Sequence, residues 1–294
     1  MSTTSVSVGD LPRAAGPGRH RRRRSRRLTV VVTGLLAVAA ISMAAPYVFM
    51  MVSAFKPQNE IFATPIRFFP RDLTLDNVAA LFDLLPYARW YLNTVVVAVF
   101  GTALTLFISS LAGFAFSKYE FRCKNLLFML VLGTVLIPFQ VLLVPQFQIV
   151  RELGGFNTYW ALILPVAANA FAVFLMRQYT ISVPDELLDA ARVDGVSEFG
   201  LWWRIVVPLV RPGLAVAGTI TFLSYWNDFF WPLIVTTDDD MFVVNLGTAS
   251  LLGPFESQYG ILLAGALLAS LPLIIMFLFF QRHIIEGLTA GATK

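Results

Sequence analysis

The 294-residue chain is 57% hydrophobic and 14% charged, with a mean hydropathy of +0.72, whereas an average soluble domain is about 25% charged. That balance excludes an ordinary water-soluble globule. The formal charge of +4 is local in origin, because eight of the 22 Lys and Arg lie between Arg13 and Arg27. Clustered arginine binds phosphate, but the string RHRRRRSRR runs straight into an apolar stretch. It therefore reads as positive-inside anchoring at a lipid surface, with no nucleic-acid partner. Cys123 is the sole cysteine, and His20 and His283 are the sole histidines. An internal disulfide and a Cys/His metal site are both excluded. No lysine follows a glycine in a phosphate-cradling loop, so the chain is expected to hold no cofactor of its own.

In chain order, residues 1–27 form an Arg-rich tail read as disordered, and residues 28–294 a transmembrane domain. A span needs about 20 apolar residues, because the hydrocarbon core is roughly 30 Å thick and a helix rises about 1.5 Å per residue. Six stretches qualify: Leu28–Ser53, Tyr91–Phe116, Leu126–Ile149, Trp160–Met176, Gly213–Val235 and Gly260–Phe280. The Arg26-Arg27 pair resembles an export signal. The apolar run behind it exceeds the 7 to 15 or so residues of a signal core, so a retained helix is expected.

Residues 54–90 are long for a plain connection and contain Pro57, Pro65, Pro70 and Pro86. Thr74 is placed to cap a short helix with Leu75, Val78, Leu81 and Phe82 along one side. This segment is either an interfacial anchor or a docking platform. In the second span, Ser109 and Gly113 lie four apart, as do Gly260 and Ala264 in the sixth, a spacing that lets helices approach closely in lipid. The third span holds Pro138, Gln140, Pro145, Gln146 and Gln148, so a kink is expected and its freed polar groups need partners.

The fifth span reads SYWNDFFWPLI, and Asp228 is the one charged residue placed inside a span. A carboxylate at the centre of a lipid-exposed helix costs about 3 kcal/mol, so Asp228 should face protein or water. Asn93, Asn169, Trp226, Asn227 and Asp228 are the candidate solute-pathway residues, since an indole face and hydrogen-bonding groups suit a sugar. The competing reading makes Asp228 a structural cap near the outer end.

Between the fourth and fifth spans lies RQYTISVPDELLDAARVDGVSEFGLWWRIVVPLVR, residues 177–211. Ser182 is expected to cap a helix whose first turn carries Pro184, Asp185 and Glu186, with Leu187, Leu188 and Ala191 on one face. Gly195 after Asp194 supplies a left-handed turn, and Phe199, Trp202, Trp203 and Val206 recur at helical spacing beyond it. The expectation is two short helices joined at a turn. Asp189 and Arg192, three apart, form a pair worth about 0.2 to 0.5 kcal/mol. Placing this loop, the tail, residues 117–125 and the C-terminal end on one side gathers 17 Lys and Arg there and leaves five on the other. Residues 236–259 have none, while carrying Asp238, Asp239, Asp240 and Glu256. Both termini and the loop are therefore expected to be cytoplasmic.

The string Asp189-Ala190-Ala191, then Asp194-Gly195, then Pro208, resembles the E-A-A loop of ATP-binding-cassette importer permeases. Asp189 departs from the family's usual Glu. The strings FKPQNEIF and LTLDN, Asn93, the run before Trp231-Pro232, and Gly287-Leu288-Thr289-Ala290-Gly291 resemble its carbohydrate branch, in particular the second permease of maltose-type importers. The resemblance implies an all-α membrane protein with six transmembrane helices and a cytoplasmic coupling-helix loop, the type I importer permease fold. It implies a cell-membrane location, and ATPase-coupling residues Glu186, Asp189, Ala190, Ala191, Asp194, Gly195, Val196 and Phe199. It also implies a C-terminal tail, Gly287, Leu288, Thr289 and Gly291, that reaches the ATPase. The implied partners are a second permease subunit, a dimer of ATPase subunits holding ATP and Mg, an extracytoplasmic solute-binding protein, membrane lipid and a sugar substrate. No catalytic residue is then expected in this chain.

Three rivals remain on the sequence alone. A self-contained carrier or channel would carry buried ionisable groups and internal repeats. A membrane-embedded enzyme would need a constellation of acids or metal ligands. A permease for amino acids, metals or phosphate-bearing solutes would differ in the outer segment and the C-terminal end.

Overall fold

The computed structural model describes residues 19–65, 67–252 and 258–289. Residues 1–18 of the expected 1–27 tail, and Gly291, lie outside the described residues. The architecture is all-helical. Helix α1 runs from Arg19 to Ser53, so the arginines from Arg19 to Arg27 continue the same helix as the apolar run. Residues up to Met50 form one compact unit, and Met51 onward a second.

The second unit contains α2 (Asp76–Leu84), α3 (Tyr87–Lys118) and α4 (Lys124–Gly133, extended by a 3-10 turn to Leu136). Then come α5 (Phe139–Glu152), α6 (Tyr159–Ala167), α7 (Ala170–Ile181), α8 (Asp185–Val193) and α9 (Glu198–Leu209). The chain continues as α10 (Arg211–Trp226), α11 (Phe230–Val235), α12 (Val244–Ala249) and α13 (Tyr259–Thr289). Helix α3 is the hub, packing along α6, α7 and α10. Its Gly113 fits against the backbone between Met176 and Arg177, where a Cβ would come within 2.8 Å. The small-residue spacing read in this helix thus serves packing against α7.

Among the described residues, three helices are long and apolar enough to cross a membrane singly, over Thr29–Ser53, Tyr87–Lys118 and Tyr259–Phe279. The remaining candidates are bent pairs: α4 with α5 at 103°, α6 with α7 at 51°, and α9 with α10 at 83°. Two of the expected continuous spans are therefore corrected to broken ones. The kink expected in the third span is present, and it falls between Leu136 and Phe139 with Pro138 as the residue opening α5. The fifth span, expected as one helix over Gly213–Val235, stops at Trp226, and α11 begins at Phe230 after three intervening residues. Sixteen residues rise about 24 Å, less than the hydrocarbon thickness, so α10 needs its neighbours to complete a crossing.

The outer segment is a folded cap. The N-cap of α2 is Leu75 rather than the expected Thr74 and makes no side-chain cap bond, while Thr74 Oγ1, one residue earlier, accepts the Asp76 N–H at 3.0 Å. Of the expected stripe of α2, Leu81 is buried and Val78 packs on the same core, whereas Leu75 and Phe82 are exposed and Asn77 is buried in addition. The burial of Asn77 has a polar cause: its Nδ2 donates to Ala54 O at 3.0 Å and Lys56 O at 2.7 Å. Helix α13 closes the cap. Its Gly260 N–H donates to Gln58 Oε1 at 2.8 Å, and the Asn77 carboxamide occupies the space a Cβ at 260 would need. Gly260→Val should accordingly cost about 1 to 3 kcal/mol by overpacking. It should lower the thermal unfolding midpoint in detergent, whereas Gly133→Ala, which meets nothing within 4 Å, should change it far less.

Candidate functional site

The loop between α7 and α10 folds as two short helices, α8 and α9. Helix α8 ends in a Schellman motif: the Val196 N–H bonds to Ala191 O and the Gly195 N–H to Arg192 O, both at 3.0 Å. That closure requires a left-handed residue after Asp194, and Gly195 has φ +80°. Ala191 and Val196 supply the apolar contact that accompanies the motif. Helix α9 is capped by Ser197, whose Oγ accepts the Gly200 N–H at 3.2 Å. Within α9, Trp202–Val206 is a π turn, and the Val207 N–H bonds to Trp202 O. Pro208, next in line, has no N–H to give.

Ser182 does not cap α8. It lies at the C-cap of α7 and its hydroxyl donates to Tyr179 O at 2.7 Å, while Pro184 precedes α8 in extended geometry. Helix α7 runs further than the pattern implies and claims the serine. The two apolar stripes also divide. Leu188, Leu201, Trp202 and Val206 are buried with Phe114, Met176, Val183, Val210 and Ala217. Leu187, Phe199 and Trp203 face outward, and Val193 is 89% exposed. Glu186, Asp189, Ala190, Asp194 and Gly195 are exposed with them. The loop thus has a buried base and an uncovered apolar ridge.

Charged groups join its parts. Arg192 donates to Asp189 Oδ1 at 2.8 Å and, across the turn, to Glu198 Oε1 at 3.1 Å. The Tyr119 hydroxyl, just past α3, donates to Glu198, and the Arg192 guanidinium lies 6.0 Å from the Tyr119 ring. Lys118 Nζ donates to Val183 O and to Asp185 Oδ1 at 2.7 Å, with its side chain 5% exposed. The Arg192 hydrogen bonds hold the Glu198 carboxyl below the usual glutamate range. Partial burial, then the Glu198 contact, push the Tyr119 phenol up. Because the folded carboxyl is depressed, its contribution is complete above the ordinary glutamate range and is lost as pH falls through the lowered value. Sequence reading found the Asp189–Arg192 pair. It missed Lys118, Tyr119, Ser197 and Glu198; Ser197, followed by an acid, has the composition of a helix start and was the available signal.

The five solute-pathway candidates each have their own hydrogen-bond partners. Asn93 is fully buried, its Nδ2 donating to Asp240 O at 2.7 Å and Phe242 O at 2.9 Å, and its Oδ1 accepting from the Tyr159 hydroxyl at 2.6 Å. Asn169 caps α7 at the 51° bend by accepting the Ala172 N–H at 2.9 Å. Trp226 is buried, stacks on Phe222 and donates to Ala269 O at 3.0 Å. Asn227 is exposed and donates to Leu223 O at 2.9 Å. Asp228 Oδ1 faces the Trp231 N–H at 3.4 Å, in the first turn of α11. A cavity of about 370 Å³ between α3, α10 and α13 is lined by Thr102, Leu106, Leu214, Gly218, Phe222 and Met276, and by none of the five. At the C-terminal end, Gly287, Leu288 and Thr289 lie on α13. Among the described residues no cluster of three or more His, Cys, Asp or Glu could hold a metal.

Long and broken apolar helices around a hub, with a two-helix loop projecting from them, define a multi-pass membrane permease subunit. Residues 105–289 match the family described as the binding-protein-dependent transport system inner membrane component, and the chain belongs to that family. It is 39% identical over 277 residues to the arabinooligosaccharides transport system permease protein AraQ of Halalkalibacterium halodurans, covering 93% of this chain and 99% of that one. It is 33% identical to the lactose transport system permease protein LacG of Rhizobium radiobacter, covering 92% and 98%. A bacterial ABC transporter that imports the acidic polysaccharide alginate contains a chain of the same fold. That chain matches with TM-score 0.79 and 22% identity, over 88% of this chain and 97% of its own.

Proposed function

We propose that this chain is one of two permease subunits of an ATP-driven sugar importer, forming half of the translocation pathway and converting ATPase closure into alternating access. The observation that carries this reading is the loop of α8 and α9, with its base packed into the protein and an apolar ridge of Leu187, Val193 and Phe199 left uncovered. Exposed apolar side chains grouped on a projecting element mark a protein contact. Glu186, Asp189, Ala190, Ala191, Asp194, Gly195, Val196 and Phe199 are assigned to ATPase coupling. The sugar class is supported by relatives named for arabinooligosaccharides and lactose. The remaining partners are a dimer of ATPases carrying ATP and Mg, and an extracytoplasmic solute-binding protein. The alginate transporter was solved with an alginate pentasaccharide-bound periplasmic protein, which supports the latter.

On this reading Gly287, Leu288, Thr289 and Gly291 extend toward the ATPase, and both termini are cytoplasmic. Asn93, Asn169, Trp226, Asn227 and Asp228 shape the walls of the pathway, with their polar atoms turned largely to protein partners. The sign of the charge distribution, 17 basic residues against five, supports the orientation.

Two measurements follow. Cys123 is the sole cysteine and is exposed, so a membrane-impermeant maleimide should label it in inside-out vesicles and not in intact cells. Labelling in intact cells would reverse the orientation. Removing the partner ATPase should abolish sugar uptake; uptake that survives its loss would instead support a self-contained carrier.

A further inference from the structure

Helix α10 continues from α9 across an 83° bend, so a displacement of the loop reaches α10 through the chain itself. Helix α3 has no such connection, although it is the helix against which α6, α7 and α10 all pack. Its last turn is joined to the loop by side chains alone. Lys118 holds Asp185, in the first turn of α8, together with the Val183 carbonyl just before it. Tyr119 holds Glu198, in the first turn of α9. Arg192 ties Glu198 back to α8 through Asp189 and covers the Tyr119 ring. Both short helices are thus gripped at their N-terminal turns by two consecutive residues of one helix end.

The buried cluster of Leu188, Leu201, Trp202 and Val206 already holds the loop against the protein. What the polar contacts add is direction, because a charge-assisted bond fixes orientation in a way that apolar packing does not. Lys118 also places a cation at 5% side-chain exposure, a position retained only when its acceptors stay in register. We propose that Lys118 and Tyr119 are positioning residues that form a latch, carrying motion of the ATPase-docked loop into α3 and keeping α3 in step with α10. This rests on the reading of the loop as the site of ATPase docking.

The test uses the complete importer, purified with its native partners and reconstituted in liposomes, with solute uptake and ATP hydrolysis measured on the same preparation. Tyr119→Phe keeps the ring that packs edge-on against Phe114 at 5.2 Å and removes only the hydroxyl. Lys118→Met keeps the buried stem and removes the charge. In both variants the ATPase should remain bound and hydrolysis should persist, while solute moved per ATP falls about fivefold or more, the lower edge of typical coupling between sites. Tyr119→Phe combined with Glu198→Gln should be no worse than the more severe single variant, because both cut one link. An unchanged ratio of uptake to hydrolysis, including a parallel fall of both or additive losses in the double variant, would overturn the latch. If the wild-type preparation contains no ATPase, the docking reading itself fails and the latch with it. The two failures are distinguished by the wild-type sample alone.

Discussion

Helix α8 has nine residues and α9, interrupted by its π turn, spans Glu198–Leu209, at or below the roughly 12 to 15 residues at which an isolated helix becomes marginally stable in water. Their existence depends on burial of Leu188, Leu201, Trp202 and Val206 against Phe114 and Met176. Every functional property of the loop follows from that dependence. The helices are held by one face, so the opposite face is free to meet a partner. They are short, so the turn between them must be fixed locally, and the Schellman closure at Gly195 does so. A residue with a Cβ in that left-handed conformation would cost about 1 to 2 kcal/mol, although nothing lies within 4 Å of the site. The constraint at Gly195 is conformational rather than steric.

A second constraint acts inside the membrane. Each bend frees backbone groups that lipid cannot satisfy, and at two breaks a side chain supplies the partner. Asn169 caps α7 at one break, and Asp228 turns toward the first turn of α11 at another. The polar residues that draw attention in apolar stretches therefore sit where helices stop, and breaks line cavities more readily than continuous helices do. A wall-forming role and a capping role are compatible at such positions.

The apolar stretches, the two-helix loop and the turn at Gly195 were legible because each rests on local chemistry: apolar run length, helix caps and a left-handed glycine. What was not legible depends on contacts between distant residues. The burial of Asn77 on α2 rests on carbonyls 21 and 23 residues away, so hydrophobic spacing places Val78 and Leu81 inward but does not show that Leu75 and Phe82 stay exposed. Ser182 was given to the wrong helix because nothing local shows how far α7 continues. The latch pairs Tyr119 with a residue 79 positions later, and no periodicity in a single sequence brings the two together. Asn93 was singled out by residue type, but its three partners lie in the connection between α11 and α12 and on α6.

The decisive question is whether the uncovered side of α8 is where a separate ATPase docks. A photo-reactive amino acid at Val193, 89% exposed on that side, tests this in native membranes, with the same probe at Leu252 outside the loop as the comparison. The account predicts that irradiation joins the Val193 probe to an ATP-binding subunit, while the Leu252 probe never captures that subunit. Capture of lipid alone at Val193, or of the same ATP-binding subunit from both positions, would contradict it.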